Sequence, residues 1–411
     1  MASLPLGKAA AFEEARACVL REVRACVTAE QIWLADADGR VLAEDVAADR
    51  DYPPFDRSAR DGFAVRAADL SLTANPAGTL EVTGEIRAGE VPRHAVREGE
   101  AIAIMTGAPM PEGADAVVMV EHTQRASSSP GESVIIGRAA KAGDNFTPRG
   151  TEAKRGAILL DRGRRLGYPE IALLATVGRA RVSVFARARV AIVPTGDEIV
   201  EIDKQPGDFQ IRNSNTWSLA AQVRRAGAIP NVLPIAEDVY ASTRVLIESG
   251  LRDADLLLLS GGVSAGKYDI VERVLADLGA RFFFDRVAIQ PGQPVVFGEV
   301  NDKFFFGLPG NPVSTMITFE LFARAAIDRL SGCAEAPLPL LRAKLTRDFR
   351  HKPGLTRFLP AMLTEDGAAI TPVAWQGSGD VPSAARANAF LVAEPERESW
   401  SAGDDIRVML R

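Results

Sequence analysis

Four apolar runs in the middle of the chain constrain the fold most, because each ends in a turn and is followed by a helical pattern. They read ARVAIVPTG, NVLPIAED, ADLLLLSGG and KFFFGLPGN. Short apolar runs bounded by turn residues are typical of buried strands, and their alternation with helices is typical of βαβ units. The sequence therefore predicts a mostly parallel, doubly wound α/β sheet over residues 181–332. Such sheets bind ligands beyond the carboxyl ends of their strands.

The segments on either side of this sheet are predicted to be β-structure. Residues 70–137 alternate short strand-like runs with Gly, Pro and Ser turns, which indicates a small β-rich domain. Its RASSSPGE segment (125–132) is predicted to be an exposed hairpin loop. Residues 336–411 return to short strands broken by Pro and Gly, a pattern typical of a small β-barrel or sandwich.

The N-terminal run KAAAFEEARACVLREVRACV is predicted to form one amphipathic helix over residues 8–27. Apolar residues recur in it at helical spacing from Phe12 to Cys26. Its many Glu and Arg residues exclude both a signal peptide and a membrane span. We therefore interpret it as a helix packed on the core.

Length and composition indicate a globular protein of several domains. The chain has 411 residues, 47% of them hydrophobic and 25% charged, which allows about three domains and excludes a largely disordered chain. The net charge of -6, from 54 acidic and 48 basic residues, supplies no global basic field for nucleic acid or an anionic membrane. Three cysteines without metal-binding spacing favour a reducing cytoplasm. Because the three histidines are isolated, catalytic or metal chemistry is expected to depend on carboxylates.

Four predicted strand ends carry unusual turn sequences, two of which suit an anionic ligand. They are PTGDEI (194–199), AED (236–238), SGGVSAGKYD (260–269) and GLPGNPVS (307–314). In the third, Gly261 and Gly262 let backbone N–H groups approach a ligand, and Ser264 or Lys267 would assist the next helix N-terminus. Tyr268 stands where a nucleoside-triphosphate loop has Ser or Thr for Mg²⁺. We expect the four turns to converge on one crevice.

Several carboxylates belong to these turns, namely Asp197, Glu198, Asp238 and Asp269. A carboxylate-rich, histidine-poor site suits a hard cation such as Mg²⁺, bound partly through a substrate phosphate. Taken singly, the Asp197–Glu198 pair is equally well interpreted as a solvated helix start. The proline-flanked GLPGNPVS segment could likewise be a plain structural turn.

Six motifs in order resemble those of the molybdopterin molybdenumtransferase (MoeA-type, gephyrin E-domain) family. They are PPFDRSARDGFAV, IMTGAPMPEGADAVVMVE, PTGDEI, SGGVSAGKYD, QPGQPVVFG and GLPGNPVS. The resemblance spans almost the whole chain. It implies an enzyme of molybdenum cofactor biosynthesis that inserts molybdate into adenylylated molybdopterin, with Mg²⁺-dependent release of AMP. It also implies a cytoplasmic homodimer with a composite active site, and it makes molybdopterin adenylyltransferase and apo-molybdoenzymes possible partners; neither nucleic acid nor a membrane is expected.

The fold that the resemblance implies is multidomain, α/β plus β. A doubly wound α/β molybdopterin-binding domain is joined by a β-rich inserted domain and a C-terminal β-barrel. The predicted boundaries are 1–48 for the N-terminal helix and linker part of domain I, 49–137 for the small β-rich domain, 138–180 for the second part of domain I, 181–332 for the α/β domain and 333–411 for the barrel.

Family roles transfer to matching positions of this sequence. The molybdopterin-binding residues implied are Gly261, Gly262, Ser264, Pro309, Gly310, Asn311, Pro312 and Thr106. The catalytic residues implied are Asp269, Asp238, Glu198 and Asp61, of which the first three would also hold Mg²⁺. The molybdate-binding residues implied are Arg286, Gln290, Arg357 and Ser378. Asp61 also has a plain structural interpretation, because Asp-Gly is a common turn.

The chain departs from the family pattern at an acidic pair and at several lysines. Glu152 in RGTEAK is the only carboxylate where family members often have two. Arg286, Gln290 and Gln293 stand where lysines are expected, and only Arg286 keeps the charge. Since charge-assisted hydrogen bonds to oxyanions are the stronger ones, weaker anion binding is expected. The loss of lysines leaves open a non-catalytic paralogue that binds or delivers molybdenum cofactor. A molybdopterin adenylyltransferase also stays open, because the resemblance implies that this enzyme shares the α/β domain, although the β-rich insert and the C-terminal domain count against it.

Overall fold

The computed structural model describes residues 6–25, 28–71, 76–128, 131–262 and 270–411. The chain forms two compact units, the first comprising Met1–Glu44, Arg162–Ala175 and Arg179–Arg411 and the second comprising Asp45–Asp161 and Thr176–Gly178. Five residues named above lie outside the described ranges, namely Cys26, Ser264, Lys267, Tyr268 and Asp269.

A six-stranded sheet forms the centre of the first unit. In order across the sheet, its strands are Ile229–Val232, Arg189–Pro194, Leu256–Ser260, Lys303–Leu308, Val296–Val300 and Arg281–Phe284. The first four are parallel to one another, and Val296–Val300 is antiparallel to both its neighbours. Leu256–Ser260 is buried along its whole length, which explains its uninterrupted apolar sequence.

Helices cover both faces of this sheet, which confirms the predicted doubly wound fold. Val190 and Ile192 belong to the core on one face, whereas Ala191 and Val193 belong to the core on the other, because successive strand side chains point to opposite sides. The α-helices of the described chain are Phe12–Glu22, Tyr168–Thr176, Ser214–Arg225, Tyr240–Asp253, Ile270–Asp277, Pro312–Thr318, Arg324–Leu330 and Val381–Arg386, with a π-helical segment at Phe319–Ala323. Within the described ranges, none of the helices is both long and apolar enough to cross a membrane.

The N-terminal helix is shorter than the predicted range 8–27, since it spans Phe12–Glu22. Ala10 forms an extended bridge with Val287, so the backbone before the helix is already committed to a long-range pairing. Val23 is also extended and ends the helix. The apolar face is nevertheless buried as its spacing predicted.

Five strands close into a barrel in the C-terminal region, as predicted. In order they are Thr356–Leu363, Ala369–Pro372, Leu340–Leu345, Asp405–Leu410 and Ala389–Ala393, and the last pairs back with the first. The short strand Ile289–Gln290 adds to Thr356–Leu363 in parallel. Closure leaves few unpaired backbone groups, which is how small β-domains avoid open edges.

The second unit contains a curled sheet of six strands. In order they are Ala116–Met119, Gly62–Val65, Glu100–Ile104, Gly78–Ile86, Gly131–Ile136 and Thr123–Ser128. The last two form a hairpin whose pairing extends to Ser128 and Gly131. The predicted hairpin loop RASSSPGE (125–132) was therefore too long, because most of this polar segment belongs to the paired strands.

The other strands form short pairs. They are Ala29–Trp33 with Arg181–Phe185, Val46–Ala47 with Ile158–Leu160, Arg57–Ser58 with Phe146–Thr147, Ile199–Val200 with Ile211–Arg212, and Phe349–Arg350 with Ser399–Trp400.

Candidate functional site

Four parallel strands end at the same edge of the central sheet, and the four predicted turns follow them. The N–H of Gly196 donates to the carbonyl of Ala236 at 3.2 Å, which joins the first two turns. The N–H of Thr195 donates to the carbonyl of Ser260 at 3.0 Å. The described part of the SGG turn is held to the neighbouring strand, since Gly261 N–H donates to the Leu308 carbonyl at 3.1 Å. We call this edge the strand-end crevice.

Glycines are required where the turns of the strand-end crevice approach one another. Gly261 has φ +94°, and a Cβ there would lie 2.6 Å from the carbonyl oxygen of Thr195. Gly262 has φ +63°, and a Cβ there would lie 2.8 Å from Thr195 Oγ1. A Cβ on Gly310 would lie 3.8 Å from Gly261 Cα, so two turns predicted to bind the same ligand are adjacent. Because these glycines have no side chain, a ligand can approach their backbone closely.

Three carboxylates lie together at the crevice. Asp238 N–H donates to Asp197 Oδ1 at 2.9 Å. Glu198 folds back over Gly196, because a Cβ on that glycine would be 2.5 Å from Glu198 Oε2. Partial burial raises the pKa of Asp238, and the charges of Asp197 and Glu198 raise it further. Carboxylates that repel one another in this way would gain from a cation.

No preformed metal site exists in the described ranges. No group of three His, Cys, Asp or Glu side chains there is arranged to hold a metal ion. The third predicted ligand, Asp269, lies outside those ranges. Mg²⁺ typically takes only one or two protein carboxylates and completes its shell with water and substrate phosphate. The crevice carboxylates therefore fit a substrate-assisted site better than a closed protein cage.

A pocket of about 430 Å³ gathers residues from three distant parts of the first unit. Its lining includes Gln290 and Gln293 of the QPGQP segment, Asn311 of the GLPGNPVS turn, and Ser378 beside Trp375. The Ser378 carbonyl accepts the N–H of Val313 at 2.9 Å, which holds the C-terminal segment against the turn. Among the described residues that line this pocket, none is lysine or arginine. We call it the glutamine pocket.

Arg357, a predicted molybdate-binding residue, lies in the strand that pairs with the Gln290 strand. Gln290 pairs with Arg357 in parallel register, and paired residues of neighbouring strands project to the same side of the sheet. Arg357 Nε is buried and has no hydrogen-bond partner among the described residues. It is thus a charged donor that a bound oxyanion could satisfy.

Arg286 occupies a different environment. It does not line the glutamine pocket. Burial raises the pKa of Glu272 on the helix Ile270–Asp277, and the Arg286 guanidinium opposes that shift. Arg286 therefore lies close enough to Glu272 for their charges to interact.

Asp61 and Thr106 meet in the second unit. The Thr106 N–H donates to Asp61 Oδ1 at 2.6 Å, and the Thr106 hydroxyl donates to the same oxygen at 2.7 Å. Both hydrogen bonds lower the pKa of Asp61, the backbone one most. The antiparallel pairing of Gly62 with Ile104 places Asp61 and Thr106 side by side. A Cβ on Gly62 would lie 1.9 Å from the carbonyl oxygen of Val118, so this Asp-Gly pair also has a packing requirement.

Glu152, the only carboxylate of the RGTEAK segment, forms a 2.5 Å ion pair with Arg57. Both side chains are exposed, so this pair contributes little to stability.

Asn215 lies at the strand-end crevice and was not singled out from the sequence. Its Nδ2 donates to Ser260 Oγ at 2.9 Å and to the Gly310 carbonyl at 2.7 Å. Asn215 therefore links the end of the strand Leu256–Ser260 to the GLPGNPVS turn, which follows the neighbouring strand. The only signal in the sequence is a polar residue on the buried face of the helix Ser214–Arg225.

Three family models match consecutive parts of the chain. The MoeA N-terminal region (domain I and II) matches residues 10–178, a probable molybdopterin binding domain matches 191–329, and the MoeA C-terminal region (domain IV) matches 342–410.

Relatives of similar length match nearly the whole chain. A molybdopterin molybdenumtransferase of Bacillus subtilis is 37% identical over 392 residues, covering 93% of this chain and 89% of the relative. One of Staphylococcus epidermidis is 33% identical over 380 residues, covering 92% and 90%. The crystal structure of a molybdopterin biosynthesis moeA protein from Pyrococcus horikoshii superposes with a TM-score of 0.82 at 28% identity, covering 98% of this chain and all of that one.

Proposed function

The chain belongs to the MoeA family of molybdopterin molybdenumtransferases, enzymes of molybdenum cofactor biosynthesis, and we propose that it inserts molybdate into adenylylated molybdopterin. The observation that supports this best is the convergence of separate predicted residues in the first unit. Gln290, Asn311 and Ser378 line one pocket, and the turn that carries Asn311 also borders the strand-end crevice. Two anions could therefore be held close together.

The strand-end crevice would hold the pterin and its phosphate. Gly261, Gly262 and Gly310 supply close backbone, and Pro309 and Pro312 make the turn rigid. Ser264 belongs to the same loop and is proposed to contact the phosphate. Backbone N–H groups at such loops bind phosphate without a full positive charge.

Asp238 and Glu198, with Asp269, are proposed to bind Mg²⁺ together with substrate phosphate oxygens. Partial burial and the charges of Asp197 and Glu198 raise the pKa of Asp238, and a divalent cation would offset the repulsion between these carboxylates. When bound, Mg²⁺ would offset negative charge on the phosphate that leaves as AMP. The carboxylates would hold the cation at the mouth of the crevice, and the phosphate would be oriented through the cation because carboxylate and phosphate repel each other.

The glutamine pocket is proposed to bind molybdate. Ser378 and Gln290 would donate hydrogen bonds to its oxygens, and so would Arg357, whose Nε is buried without a described partner beside Gln290. Arg286 is proposed to contribute longer-range charge only, because its charge interacts with Glu272. Neutral amides in place of lysines predict weak molybdate binding.

We further propose a cytoplasmic homodimer in which Asp61 and Thr106 of one chain complete the active site of the other. The two residues already form a joint polar group, which suits a role in a shared cleft. Molybdopterin adenylyltransferase and apo-molybdoenzymes are the proposed partners before and after the reaction.

The direct test is to incubate the protein with adenylylated molybdopterin, Mg²⁺ and molybdate, and to measure AMP release and cofactor formation. Both products are expected, and omission of Mg²⁺ should abolish them. Cofactor binding without AMP release would instead support the non-catalytic paralogue, which the absence of Lys and Arg from the described pocket lining favours. Adenylylation of free molybdopterin would support the adenylyltransferase.

A further inference from the structure

Asn215 is a buried amide at the wall of the strand-end crevice whose second polar atom has no described partner. The residue is 8% exposed and lies in the first turn of the helix Ser214–Arg225. Its Nδ2 donates to the Gly310 carbonyl, and since a carbonyl oxygen can only accept, this contact determines the orientation of the amide. Asn215 Oδ1 therefore points away from Gly310, and no described residue donates to it.

An acceptor in this position selects the kind of group that can lie against it. Buried polar atoms are nearly always hydrogen-bonded, so an unpartnered one beside the strand ends is available to a ligand that binds there. A phosphate or molybdate oxygen is itself an acceptor and would be repelled by Asn215 Oδ1. A heterocyclic or exocyclic N–H would be attracted.

We propose that Asn215 Oδ1 accepts a hydrogen bond from an N–H of the pterin ring system and thereby orients the substrate in the crevice. This inference rests on the proposed function. The close backbone of the Gly261–Gly262 turn suits the anionic end of the ligand, whereas Asn215 suits the hydrogen-bond-donating end. The same amide holds Gly310 and Ser260, so the ligand contact is preorganised by the fold.

Gln222 supplies a matched control on the same helix. It lies seven residues after Asn215, which places it on the same helical face. Its Nε2 donates to the Met316 carbonyl at 3.0 Å and to Glu320 Oε1 at 2.8 Å, and its Oε1 also lacks a described partner. Gln222 contacts another helix instead of the strand ends, so its loss should affect packing without affecting the ligand.

The experiment is anaerobic calorimetric titration of the full-length protein with molybdopterin, which reports the dissociation constant and the fraction of active sites separately. Asn215→Leu removes the acceptor with little change in volume and should weaken binding by about tenfold or more. Gln222→Leu should keep a dissociation constant within about twofold of the wild-type value, even if its melting temperature falls as much as that of Asn215→Leu. Equal weakening by both substitutions, or unchanged affinity in Asn215→Leu, would overturn the proposal.

A second variant separates ligand contact from loop positioning and also serves if Asn215→Leu does not fold. Asn215→Asp keeps acceptor oxygens but cannot donate to the Gly310 carbonyl. If Asn215 acts through its acceptor, Asn215→Asp should bind molybdopterin more tightly than Asn215→Ala. If Asn215→Asp binds no better, the residue only positions the turn and the proposal is wrong. Wild-type protein that binds no molybdopterin would overturn the proposed function itself.

Discussion

At the scale of single residues, Asp238 should give the protein a measurable pH dependence. Its pKa is raised in the fold by partial burial and by Asp197 and Glu198, so the folded state retains this proton to higher pH than the unfolded state. The free energy of unfolding should therefore fall as pH rises from about 4, the ordinary Asp pKa, through the raised value. Asp238→Asn should melt at a higher temperature than wild type at pH 7, with the difference vanishing below about pH 4.

Asp366 is the control of opposite sign. The Thr364 hydroxyl and the Ala368 N–H lower the pKa of Asp366, so its stabilisation is present at neutral pH and is lost as pH falls. Asp366→Asn should thus lower the melting temperature at pH 7.

In addition, Mg²⁺ should stabilise wild type more than Asp238→Asn. An equal response of both proteins to Mg²⁺ would exclude Asp238 as a ligand.

Gln290 tests the placement of the oxyanion. Gln290→Lys would add one charged donor beside Arg357 in the glutamine pocket. A charge-assisted hydrogen bond contributes about 1.5–3 kcal/mol, so the molybdate concentration for half-maximal insertion should fall roughly tenfold or more. Gln31→Lys, in the exposed strand Ala29–Trp33, should change nothing. If wild type is inactive and Gln290→Lys gains activity, the non-catalytic paralogue is the better description; if neither affinity nor rate changes, Gln290 does not face molybdate.

At the scale of elements, the QPGQP segment depends on close packing against the helix Pro312–Thr318. Gly292 has φ +104°, and a Cβ there would lie 2.5 Å from Thr318 Cγ2. Gly292→Ala combines backbone strain with overpacking and should lower the free energy of unfolding by about 2–4 kcal/mol, measured by denaturant titration. Gly354 has φ +106° but open space around it, so Gly354→Ala should show only the strain, about 1–2 kcal/mol. Equal losses of unfolding free energy in the two variants would mean that the QPGQP segment accommodates the added methyl group without an overpacking penalty.

At the scale of the whole molecule, the proposed composite site predicts complementation between chains. Asp61→Ala and Asp238→Ala should each suppress AMP release, because each removes one half of the site. Mixed and allowed to exchange subunits, half of the dimers would be heterodimers with one intact cleft, so roughly a quarter of wild-type activity should return. Activity that stays absent after demonstrated exchange would place both residues in the cleft of a single chain.

The sequence was sufficient wherever the signal is local. Apolar runs with turns predicted the central sheet, and short broken strands predicted the barrel, because burial acts on residues that are neighbours in one element. The ordered motifs that identified the family are local signals as well. They include glycines such as Gly261 and Gly62, which stand where another backbone segment approaches too closely for a side chain. The roles assigned to individual residues by that resemblance stay predictions.

Only the tertiary structure decided the features that join distant parts of the chain. The pairing of Ala10 with Val287 keeps the backbone before the first helix extended, and the pairing of Gln290 with Arg357 brings an arginine with a buried Nε beside the glutamine segment. Asn215 was missed because neither its helix nor its spacing distinguishes it from an ordinary core amide. Its meaning comes from Gly310, nearly a hundred residues away in sequence, whose carbonyl orients the amide. Periodicity reports which face of an element is buried, whereas hydrogen-bond orientation depends on what that face meets in the folded chain.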